Sequence, residues 1–71
     1  MKYLLNIEGM MCGHCTGRVE KTLRETRGVL SVAVSLEDKS ATVEVKDRVK
    51  ADALRKAVDA AGYTVTGVTE L

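Results

Sequence analysis

Within 71 residues the hydrophobic period of this chain switches from two to about 3.6 and back, twice. Tyr3, Leu5 and Ile7 alternate with Lys2, Asn6 and Glu8, which predicts a strand that Gly9 ends, with Leu4 half exposed. Gly9 to His14 reads as a loop. From Cys15 the apolar spacing becomes helical: Cys15, Val19 and Leu23 fall four apart with Thr26 alongside, and Arg18, Glu20, Lys21, Arg24 and Glu25 cover the other side. Glu20 and Arg24 form an i,i+4 pair in the favourable order, and Gly28 is placed as the residue just past the helix end. Leu30, Val32, Val34 and Leu36 then alternate with Ser31, Ala33 and Ser35. A polar turn, Glu37-Asp38-Lys39-Ser40, joins them to Ala41, Val43 and Val45, predicting a hairpin. A polar link, Asp47-Arg48, leads to a second helix with the stripe Ala51, Leu54, Ala57, Val58 and Ala61, closed by Gly62. Tyr63, Val65 and Val68 supply a last strand.

The order β-α-β-β-α-β over residues 1–71 predicts one α+β domain. It has the ferredoxin-like arrangement, a four-stranded antiparallel sheet with two helices on one face. Several function classes drop out on composition. Eleven Lys and Arg against ten Asp and Glu leave a net charge of +1, so a strongly basic nucleic-acid binder is not expected. Trp and Phe are absent and Tyr3 and Tyr63 are the two aromatics, too few for a base-stacking platform. No apolar run approaches the roughly 18 residues that span a bilayer, so direct membrane insertion is not expected. The first apolar stretch is broken by Asn6 and Glu8, short of a signal peptide's apolar block, and the expected location is cytoplasmic.

Two cysteines, Cys12 and Cys15, stand three apart in Gly9-Met10-Met11-Cys12-Gly13-His14-Cys15. A disulfide between them would close too small a loop to staple the fold. A closed zinc site wants four ligands, and the chain offers two Cys and one His, with His14 between the cysteines. Haem attachment needs His directly after the second Cys, where Thr16 stands. The Cys-Gly-His-Cys tetrad also occurs in disulfide isomerases of thioredoxin fold, which supplies a rival reading as a thiol-disulfide oxidoreductase. That fold faces the tetrad with a cis-proline loop, and this chain has no proline. What remains is a soft monovalent ion such as Cu(I), for which two thiolates suffice, held at the start of a helix whose dipole favours the thiolate form.

The neighbouring residues have plainer readings beside functional ones. Met10 is expected in the core, and Met11 is expected to be exposed with a thioether that reaches the metal as its alternative role. His14 is either a solvated loop residue or a cation that lowers the thiol pKa. Tyr63 serves as core edge and site shield together. Arg18, Lys21 and Arg24 are either a solvated face or a basic strip that steers an acidic docking domain.

Together with Val19-Glu20, Leu23, Gly28-Val29 and Gly62-Tyr63, the cysteine loop resembles the heavy-metal-associated domain family across essentially the whole chain. The resemblance implies a metallochaperone, not an enzyme, with Cys12 and Cys15 as metal ligands and Met10 as loop anchor. It implies Cu(I) as cargo, with Ag(I), Hg(II) and Zn(II) as alternatives. The implied partner is the metal-binding domain of a copper-transporting P-type ATPase, with a copper-responsive repressor as a second candidate. It further implies a monomer without metal and, as an alternative under load, a metal-bridged dimer. Met11 departs from the Thr usual at its position; an acidic residue there accompanies zinc and cadmium handling, so its absence favours a soft ion. Tyr63 resembles the free bacterial copper chaperones, whereas the N-terminal domain of a P-type ATPase, the alternative origin of such a chain, commonly has Phe.

Overall fold

A computed structural model describes residues 1–10, 13–46 and 49–71. Strand β1 (Lys2–Glu8) leads to helix α1 (Gly13–Arg24), the hairpin β2 (Val29–Ser35) and β3 (Ser40–Val45), helix α2 (Ala51–Ala60) and strand β4 (Thr64–Glu70). The strands form one antiparallel sheet in the order β2-β3-β1-β4. Period-2 alternation puts Tyr3, Leu5, Ile7, Val43, Val45 and Val65 on one face, where they meet Val19 and Leu23 of α1 and Leu54 and Val58 of α2. Both helices therefore cover the same side, as the sequence predicts. Leu5, Val19, Leu23, Val43, Leu54 and Val58 are fully buried, so the thin core of a small domain is carried by aliphatic side chains.

Three boundaries depart from expectation. Helix α1 begins at Gly13, not Cys15, so His14 lies in its first turn, where Thr16 Oγ1 donates to the Gly13 carbonyl at 2.8 Å. Gly28 is not the residue after the helix end, because α1 stops at Arg24 and a turn intervenes. Gly28 instead turns the chain into β2 at φ +90°, its carbonyl accepting from Lys46 N at 2.9 Å. In β2 the register shifts between Val29 and Ser31. That extra residue turns Leu30 outward (57% exposed), while Val29 packs against the core in its place. Leu36 falls just past β2 and is exposed too. Leu4 is half-buried, and Val32 and Val34 face inward as predicted. The expected link Asp47-Arg48 lies outside the described residues.

Candidate metal centre

Antiparallel β1 and α1 meet at one end of the sheet. Met10, two residues past β1, is 3% exposed and belongs to the core cluster, so the chain entering the cysteine motif is anchored by apolar burial. Met11 and Cys12 lie outside the described residues. Cys15 stands in the first turn of α1, half-buried and packed against the core. One helical turn further, Val19 is fully buried, and Leu23 follows it. Cys15 is therefore held by the same apolar stripe that fixes the helix on the sheet.

Tyr63 reaches this end from the other helix, and the local backbone explains how. Helix α2 caps at Ala61; Gly62 N donates to the Asp59 carbonyl at 3.0 Å and Tyr63 N to the Val58 carbonyl at 3.2 Å. These two bonds make a Schellman motif, with Gly62 in the left-handed region at φ +95°. The motif fixes the direction in which Tyr63 leaves the helix. Its ring then lies against Gly9, where a Cβ would stand 3.4 Å from Tyr63 Cδ1.

His14, Cys15, Arg18 and Tyr63 line one shallow depression of about 270 Å³. His14 and Arg18 are exposed and Tyr63 is half-buried. Arg18 joins the depression because it follows His14 by four residues, which places both on one side of the helix. The sequence pattern had placed Arg18 in a basic strip with Lys21 and Arg24. Those two are exposed but do not line the depression, and Arg24 Nη2 pairs with Glu20 Oε1 at 2.8 Å. The strip thus contributes one cation at the site itself. The contact of Tyr63 with Gly9 had no sequence signal, since it joins residues 54 apart that only the cap geometry aims at each other. Among the described residues, no group of three or more His, Cys, Asp or Glu is gathered where it could hold a metal ion.

The heavy-metal-associated domain model matches residues 4–64. The chain belongs to that family. Copper chaperone CopZ of Staphylococcus aureus (strain bovine RF122 / ET3-1) is 40% identical over 63 residues, spanning 87% of this chain and 93% of its own. Among solved structures, a CopZ metallochaperone superposes with a TM-score of 0.88 at 37% identity, covering 93% of this chain and all of the other. A copper binding domain from HMA7, a P-type ATPase, superposes with a TM-score of 0.86 at 27% identity, covering 99% of this chain and 92% of the other. In this heavy-metal-associated domain the motif's second cysteine opens α1, its methionine is buried, and its tyrosine is delivered by the end of α2.

Proposed function

We propose that this domain is a cytoplasmic copper metallochaperone that carries Cu(I) between the thiolates of Cys12 and Cys15 and passes it on by ligand exchange. The observation that carries the reading is Cys15, fixed by core packing in the first turn of α1 yet half-exposed in an open depression. A sulfur so placed meets an incoming ligand without unfolding anything. The names of the relatives, a copper chaperone and a copper binding domain, support the choice of ion. In the transfer step a partner thiol loses its proton to solvent and its sulfur bonds to the ion, giving three sulfurs on one Cu(I). The bond to one of Cys12 and Cys15 then breaks; a second partner thiol loses its proton and bonds to the ion, the bond to the remaining cysteine breaks, and the two released thiolates are free to take up protons from solvent. No oxidation state changes and no turnover chemistry is involved. The partner that fits is the metal-binding domain of a copper-transporting P-type ATPase, whose fold this chain shares. Arg18 stands where it meets an acidic partner surface.

The test is a Cu(I) titration of the reduced protein against a chromogenic chelator. One tightly held Cu(I) per monomer is expected, lost in the Cys12→Ser/Cys15→Ser double variant. Retention of tight stoichiometric binding by that variant refutes the site. Preference for Zn(II) or Hg(II) in direct competition refutes the assignment of the ion.

A further inference from the structure

We propose that the end of the molecule opposite Cys15 is a docking surface for an anionic lipid bilayer. The topology defines that end. Helix α1 runs away from Cys15 to Arg24, the chain turns at Arg27-Gly28, β3 finishes at Val45, and α2 begins at Ala51, all on the far side. The twelve residues of α1 separate the two ends by about 18 Å.

A depression of about 680 Å³ lies there, with Gly28, Val49 and Ala53 in its lining. Among the described residues its lining carries four cations, Arg27, Lys46, Lys50 and Lys56, against one carboxylate, Asp52. The whole chain carries only +1, so the lining of this depression is a local cationic excess. The ion pairs among the described residues, Lys2–Glu44 and Arg24–Glu20, involve none of the four. Glu25, Glu44 and Glu70 also lie toward this end, outside the depression.

Charge alone would suit any acidic partner; the apolar residues decide. Among the described residues, three of the four exposed large hydrophobics lie at this same end: Leu30 (57% exposed), Met1 (44%) and Leu71 (64%). Leu30 opens β2, Met1 is hydrogen-bonded to Val45, and Leu71 N donates to the Lys2 carbonyl. They are dispersed around the end, not gathered into a patch. A protein interface concentrates its energy in one packed cluster. A fluid headgroup layer accepts scattered apolar tips and pairs its phosphates with a cluster of about four or more Lys and Arg. Bound this way, the domain points Cys15 away from the lipid, toward whatever stands above the membrane. The inference does not rest on the copper reading, because lipid binding is read on metal-free protein.

The experiment is co-sedimentation of the metal-free chain with vesicles of phosphatidylglycerol and phosphatidylcholine in equal parts, beside vesicles of phosphatidylcholine alone. Binding to the anionic vesicles only, weakening as salt rises, is expected. Lys46→Gln/Lys50→Gln should lower the partition coefficient about 30-fold, at roughly fivefold per cation. The matched variant Lys39→Gln/Arg55→Gln removes the same charge elsewhere and should have little effect. Leu30→Ser should weaken binding severalfold with an unchanged circular dichroism spectrum. Absence of binding to anionic vesicles, or equal losses in the two double variants, overturns the proposal. So does tighter binding to a soluble poly-glutamate peptide than to the vesicles, which would mark a protein-docking surface.

Discussion

Two glycines, one inside α1 and one in the turn that follows it, should respond to alanine with opposite sign. Gly17 lies inside α1, exposed, with nothing within 4 Å of an added Cβ. A helical glycine costs about 0.8–1.0 kcal/mol relative to alanine, so Gly17→Ala should stabilise by about that amount. In a domain of this size that raises Tm by about 4–8 °C. Gly28 has φ +90°, and an added Cβ there would collide with Val49 Cγ2. The left-handed backbone costs an L-residue about 1–2 kcal/mol, and forcing Val49 aside about 1–3 more. The total, about 2–5 kcal/mol, is a large share of the roughly 4–10 kcal/mol expected for a chain this long. Thermal and urea unfolding of metal-free protein, followed by far-ultraviolet circular dichroism because there is no Trp, measures both variants. Adding Val49→Ala to Gly28→Ala separates the two costs. The collision is relieved and the backbone cost stays, giving a favourable coupling energy in the double-mutant cycle. The reasoning fails if Gly28→Ala melts with the wild type, if Gly17→Ala melts below it, or if the cycle shows no coupling.

Leu54→Ala removes a fully buried side chain where α2 meets the sheet and should cost about 2.7–5 kcal/mol in the same unfolding experiment. Glu20→Gln breaks a 2.8 Å ion pair between side chains that are 39% and 64% exposed. About 0.3–0.5 kcal/mol should be lost at low salt and little at high salt. In an insulin-reduction assay the dithiol form should show no catalytic turnover; appreciable turnover would restore the thiol-disulfide reading of Cys12-Gly13-His14-Cys15.

Most of the fold was legible because its signal is periodic and local. Tyr3, Leu5 and Ile7 stand two apart, broken only by the apolar Leu4 between them, and are all buried, and the stripe Leu54–Val58 falls on the inner face of α2. The errors sit where geometry departs from a uniform period. Leu30 continues the apparent alternation of β2, but the bulge beside it reverses its face. Only pairing with β3 reveals that. The start of α1 at Gly13 was hidden because glycine and histidine carry weak helical preference, whereas packing of Cys15, Val19 and Leu23 fixes the helix and draws its first turn along. At the site, the cysteine spacing is the ground of the proposed chemistry. What spacing could not give was company: Arg18 beside Cys15 rather than in a strip with Lys21 and Arg24, and Tyr63 against Gly9.

The proposed carrier role asks both for firm placement of a ligand and for its easy release, and different parts of the chain suit the two demands. Firmness comes from behind Cys15, where Val19, Leu23 and Met10 are buried and cannot shift without opening cavities. Tyr63 adds a second constraint whose direction is set by two backbone hydrogen bonds at the end of α2, not by its own rotamer alone. In that proposal release falls to the front, where His14 and Arg18 are exposed. Mobile side chains there can yield to an incoming surface at small cost, because neither contributes to the core cluster. Stability and exchange are thereby decoupled. Substitutions at Val19 or Leu23 should change the melting temperature, while substitutions at Arg18 should change association with a partner and leave unfolding within about 0.5 kcal/mol of the parent.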